Sequence, residues 1–172
     1  EFRYARISKV GGVGEGVNPG GIDRGGWTLT GGITFYHSPV DFTHCRISDC
    51  SAEDALNVIA TDFSLIDSII SDVSSDAFDG DFVKGKISNC TFERIGGDAI
   101  DLSGSRITIE GVRVFETADK ALSAGEATWV TLSGSYFKNV GFGIASKVAL
   151  AAFIAGAARC DPFGRLMAER LI

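Results

Sequence analysis

Ala55, Ala77, Ala99, Ala121 and Gly143 recur at a strict interval of 22, and each is followed by an apolar residue: Leu56, Phe78, Ile100, Leu122 and Ile144. A fixed period of this length marks a stacked array, in which each unit buries its apolar side only against its neighbours. Leucine-rich arrays share the period, but they need a leucine framework and an asparagine column that these repeats lack.

The period instead predicts an all-β chain, a right-handed parallel β-helix of about 22 residues per coil. Equivalent strands then stack about 4.8 Å apart with side chains alternating inward and outward. Phe78, Ile100 and Leu102 form the inward set of one strand. A second strand per coil is expected at Phe63 to Ile66, Lys86 to Ser88, Arg106 to Ile109 and Trp129 to Leu132, and a third around Ile70, Phe92, Val114 and Tyr136. With 172 residues, 45% of them hydrophobic, the chain can fill one long core, and 22 glycines against 3 prolines suit tight corners.

Three stretches are expected. Residues 1–148 form the β-helix, irregular over 1–40 and regular over 41–148. Within the irregular part, Glu1-Phe-Arg-Tyr-Ala-Arg-Ile-Ser echoes Asp41-Phe-Thr-His-Cys-Arg-Ile-Ser. Residues 149–172 are Ala-rich, with Asp161-Pro162 as a helix-start signal and Phe163, Leu166, Met167 and Leu171 at helical spacing. They predict a C-terminal helical cap, or a segment through which two copies of the chain associate.

The net charge of -6 argues against a nucleic-acid partner, whose backbone calls for a basic surface. No run of 18 apolar residues exists, which argues against a transmembrane helix. The chain opens without Met and without a basic, apolar leader, so it reads as a processed product or fragment whose address is not written in it. Cys45, Cys50, Cys90 and Cys160 have neither C-x-x-C spacing nor a His partner. Cys45 and Cys90 fall in one column with Ser68 between them, about 10 Å apart and beyond disulfide reach, and read as small core residues.

Chemistry is concentrated in three outward columns. One reads Asn57, Asp79, Asp101, Ser123, Ala145; the next Ile59, Asp81, Ser103, Gly125, Lys147; and the strand entrance carries Asp54, Asp76, Asp98, Lys120, Phe142 beside Glu53 and Asp119. Two carboxylates about 4.8 Å apart repel by roughly 1 kcal/mol in water and about 3.5 kcal/mol at an effective dielectric near 20, so the ladder needs relief. Relief comes from a cation, from lysine, from backbone N–H groups or from a retained proton. Corner capping accounts for Asp54, Asp76 and Asp98. Asp79, Asp81 and Asp101 sit in mid-strand, where no turn needs Asp, and are the candidate catalytic or Ca²⁺-binding set. Lys120, Glu126 and Lys147 are their candidate catalytic neighbours.

The phrases Glu53-Asp-Ala-Leu-Asn, Ser75-Asp-Ala-Phe-Asp-Gly-Asp-Phe, Gly96-Gly-Asp-Ala-Ile-Asp-Leu-Ser-Gly-Ser, Asp119-Lys-Ala-Leu-Ser-Ala-Gly-Glu and Gly143-Ile-Ala-Ser-Lys together resemble the right-handed β-helix domain of bacterial proteins that also carry spore-coat-type kinase modules. The resemblance covers about 30 to 147 and implies the fold, without an activity to carry over. By analogy with the wider class it implies a polysaccharide partner and an extracellular or cell-envelope setting.

Two functions are therefore expected. One is a polysaccharide hydrolase or lyase, or a polysaccharide-binding protein, using the acidic columns. The other is a structural or adhesive scaffold whose acids are solvated or hold Ca²⁺. Exposed rings for sugar stacking would separate them, and Tyr36, Phe82, Trp129, Tyr136 and Phe142 are the candidates. His37 and His44 lie outside the acidic columns, which argues against His-dependent nucleophilic catalysis.

Overall fold

Each coil turns three times, and the turns are made by backbone in the left-handed region. The computed structural model describes residues 1–11, 22–23 and 28–146, and the backbone of strands 152–153, 159–160 and 165–168. One corner column runs His44, Asp67, Asn89, Gly111, Gly134, a second Asp49, Asp72, Arg94, Glu116, Asn139, and a third His37, Ala60, Phe82, Gly104, Ala127, all at positive φ. Each such residue swings the strand direction while its N–H still reaches a carbonyl of the next coil, as Asp67 does to Ser88 at 2.9 Å and Phe82 to Ser103 at 2.8 Å.

The three strands of every coil stack into three parallel sheets. The first comprises Phe2–Arg3, Val40–Thr43, Asp62–Ile66, Lys84–Ser88, Arg106–Glu110, Trp129–Ser133 and Ala152–Phe153. The second runs from Arg6–Ser8 through Arg46–Cys50, Ile69–Val73 and Thr91–Ile95, and the third from Gly31–Tyr36 through Asp54–Ile59, Asp76–Asp81 and Ile100–Ser103. The long strands Arg113–Ala124 and Tyr136–Ser146 bend around one edge and belong to both. A short antiparallel pair, Ile22–Asp23 with Thr28–Leu29, lies outside the stack.

The period of 22 now has a cause. Leu56 pairs with Phe78, Phe78 with Ile100, and Leu122 with Ile144, so the residues after the alanines form one inward ladder. Ala55, Ala77, Ala99 and Ala121 are completely buried where the chain enters the third sheet. The first coil repeats the offset echo of its sequence: Phe2 pairs with Phe42, and Arg6, Ile7 and Ser8 with Arg46, Ile47 and Ser48. Cys45, Ser68 and Cys90 do share a column. Ser68 Oγ accepts the Cys45 N–H at 3.0 Å, and Cys45, Cys50 and Cys90 are buried free thiols.

Two sequence expectations need correction. Val114 pairs with Phe137, not Tyr136, which pairs with Arg113. The corner before Trp129 is one residue longer than its predecessors, so Arg106 pairs with Trp129 at a separation of 23. The ladder returns to 22 between Thr117 and Lys120, where Gly141 alone stands opposite Ala118 and Asp119. A Cβ on Gly141 would lie 2.6 Å from the Asp119 carbonyl oxygen and 2.7 Å from that of Ala118. Both obstacles are backbone, so Gly141→Ala is expected to cost about 1–3 kcal/mol and to lower the melting temperature by several degrees; an unchanged melt would show that the corner can open.

The second correction concerns the C-terminal helix. Among the described residues of 149–172, Ala152–Phe153 pairs with the first sheet, Arg159–Cys160 with the second and Arg165–Ala168 with the third. No helix is present among the described residues, and the rest of that expectation lies outside them. The last complete coil offers a row of unpaired N–H and C=O groups on each sheet, and pairing with these overrides the weak helical preference of an Ala-rich segment.

Candidate functional site

The outward side of the third sheet gathers the acids. Asp79 pairs with Asn57 on one side and with Asp101 on the other, and Asp101 pairs in turn with Ser123. Asp81 stands two residues further along, opposite Ser103. The expected ladder of Asp79, Asp81 and Asp101 is thus on one face and on adjacent coils. All three are partly withdrawn from water.

The entrance column is knitted by backbone, as capping requires. Asp98 N–H donates to Asp76 Oδ1 at 2.7 Å, and Lys120 N–H donates to Asp98 Oδ1 at 2.8 Å. Asp54 Oδ2 accepts from Thr30 Oγ1 at 2.5 Å. Lys120 is committed to this column: its ammonium lies 3.2 and 3.3 Å from the two oxygens of Asp98 and also bridges to Asp119. Among the described residues its ion pairs are with the entrance-column Asp98 and with Asp119. Glu126 sits exposed in the long corner, and Lys147 lies outside the described residues.

Relief in the middle column comes from other sources. Asn57 Nδ2 donates to Asp79 Oδ2 at 2.5 Å, and the Leu102 N–H donates to Asp101 Oδ1 at 2.9 Å. Burial, reinforced by the charges of Asp81, Asp54, Asp101 and Asp76, pushes Asp79 up to about 8. Burial likewise pushes Asp54 and Asp76 up to about 6, against a hydrogen bond from Thr30 in the first and from the Asp98 N–H in the second. Asp81 is raised by burial and by Asp101, and Asp98 by burial in spite of Lys120. Near neutral pH this face therefore holds a proton on Asp79, which is what a general acid requires.

Among the described residues one group of carboxylates has metal-ligand spacing: oxygens of Asp76, Asp98 and Asp101 lie within 4.8 Å of one another. It shares only Asp101 with the Ca²⁺ set expected from sequence, and one of its members is already paired with Lys120. Sequence reasoning also passed over Asn57 and Ser123. They occupy the acidic column at 1% and 0% exposure, with Asn57 Oδ1 and Ser123 Oγ lacking a hydrogen-bond partner among the described residues. The column itself was their signal, since both stand in register with the two central aspartates.

The rings divide by face. Tyr36 is exposed in the third sheet, in the column of Ile59 and Asp81, and Phe142 pairs with Lys120 in the entrance column. Phe82 follows Asp81 at the corner. Trp129 lies on the first sheet beneath the Arg106 guanidinium, 5.3 Å from its ring centre, and Tyr136 lies partly buried on the second. The sequence matches the family described as "Right handed beta helix region" over residues 31–149. The chain belongs to that family. The match spans every acid described above and gives this β-helix its fold without an activity. No curated protein and no solved structure matches the chain.

Proposed function

We propose that this β-helix binds a polysaccharide across the outward face of its third sheet and hydrolyses it there, with Asp79 as general acid and Asp101 as the opposing carboxylate. The observation that carries the reading is the pairing of Asp79 with Asp101 on adjacent strands, with Asp79 partly buried and held by Asn57. Neighbouring strands stand about 4.8 Å apart, near the roughly 5–5.5 Å separation of carboxyls that hydrolyse with retention. Asp79 would give its proton to the glycosidic oxygen as the bond to the anomeric carbon breaks, and Asp101 would form the glycosyl ester. Water then cleaves that ester, returning its proton to Asp79. Asp81, one residue pair along the strand, lines the path of the chain.

Asp79→Asn and Asp101→Asn should each lower the rate of glycan hydrolysis by about 100-fold to 10,000-fold while leaving the fold intact. Reducing-end release from a panel of neutral and acidic polysaccharides, paired with circular dichroism, measures both. Unaltered hydrolysis by either variant overturns the assignment.

The grouping of Asp76, Asp98 and Asp101 favours a second reading, a scaffold braced by a divalent cation such as Ca²⁺. Under that reading a chelator lowers the melting temperature and added Ca²⁺ restores it. Under the first reading neither has an effect, because Lys120 already supplies the positive charge at Asp98.

A further inference from the structure

Phe82 combines three properties that packing alone does not explain. It is 70% exposed, against 37% for Phe2. Its backbone lies in the left-handed region at φ 55°, where a bulky side chain is an outlier. The other residues of its corner column, His37, Ala60, Gly104 and Ala127, are small or polar. Within this corner column an apolar ring is therefore held in water at one coil only, and that coil carries Asp76, Asp79 and Asp81.

The next coil leaves space for the ring. Gly104 has no side chain, and a Cβ built there would lie 2.5 and 2.7 Å from two carbons of the Phe82 ring. The ring is thus laid over the Gly104 backbone, beside the end of the acidic face. Its N–H bonds the Ser103 carbonyl at 2.8 Å, so the corner stays anchored while the ring stays accessible.

We infer that Phe82 is a sugar-stacking platform, against which the apolar face of a pyranose packs while the next residue of the polysaccharide lies along Asp81 and Asp79. The inference rests on the polysaccharide reading above and adds to it a subsite whose chemistry is ring stacking, not charge. A platform of this kind favours sugars with a continuous apolar C–H face. Replacing it with a residue that tolerates left-handed backbone should help the fold and harm the function.

The test measures affinity and stability on the same variants. Oligosaccharides of β-1,4-linked glucose, β-1,4-linked xylose and α-1,4-linked galacturonate serve as probes in isothermal titration calorimetry. The variants are Phe82→Gly and Phe82→Asn, whose residues tolerate left-handed backbone, and Phe82→Tyr, which keeps the ring. The expected result is that the Gly and Asn variants melt no lower than the parent and lose about tenfold or more in affinity for the probe that binds it, whereas the Tyr variant keeps that affinity. Full affinity in Phe82→Gly overturns the platform and leaves the acidic face standing, provided Asp79→Asn still impairs hydrolysis. A lower melting temperature in both the Gly and Asn variants makes the ring a packing element and also overturns it. Failure of the parent protein to bind any probe removes the polysaccharide reading together with the platform.

Discussion

Raising the pH from about 4 to about 9 should lower the melting temperature of this protein by about 10 °C or more, the reverse of the usual gain as carboxylates ionise. Asp79 is pushed from its ordinary 3.8 up to about 8 in the folded chain. Below the unfolded value it is neutral in both states and costs nothing. Between the two values only the unfolded chain releases its proton, so each pH unit favours unfolding by about 1.4 kcal/mol. Above the folded value both states are ionised and the full cost, at most about 6 kcal/mol, is present. Asp54 and Asp76, raised to about 6, add to the same fall over its acidic half. Asp72 works in the other direction, held down to about 2 by its hydrogen bonds with Arg94, but it lies at the surface and its share is small. Asp79→Asn removes the ionising group, so its melting temperature should decline only as the pH rises from about 4 to 6 and stay flat between about pH 6 and 8. Circular dichroism melts across this range check both chains. A parent curve that is flat or rises would mean that a cation relieves the cluster.

Phe78→Ala should cost about 3–5 kcal/mol, the range for emptying a fully buried aromatic site. The ring is completely buried between Leu56 and Ile100 and meets the Phe63 ring at a centroid distance of 4.9 Å. Because each coil contacts only its neighbours, the loss should be local. Hydrogen exchange should accelerate at 54–59, 76–81 and 100–103 and leave Arg6–Ser8 at its original rate. A uniform acceleration would mean that the stack unfolds as a single unit.

The inward ladder was legible in the sequence because three features repeat in phase: a buried corner held by Ala or Gly, an apolar residue behind it and an outward position beyond. Tyr136 shows where that reading fails. A strict 22 between Ala121 and Gly143 hides an extra residue at one corner and a shortened one at Gly141, two departures that cancel in the alanine count. At Ala152–Phe153, Arg159–Cys160 and Arg165–Ala168 the helical reading failed for a different reason. Local preference was weighed without the exposed sheet edges of the preceding coil, which exist only once the fold does. At the acidic face the register of Asp79 with Asp101 followed directly from the period. What the period does not carry is how deeply an outward side chain sits, and so the burial of Asn57 and Asp79, the commitment of Lys120 to Asp98, and the exposure of Phe82 appear only in three dimensions.

The stacking of one coil on the next along the third sheet has a mechanical consequence. Such an array frays from its ends, losing one interface at a time. A long ligand lying across several coils would act as a splint, because each interface it spans must open against bound contacts. Resistance to pulling should then grow with the length of the polysaccharide that is bound, and a short oligosaccharide seated on one coil would leave the force needed to unravel the chain where it was.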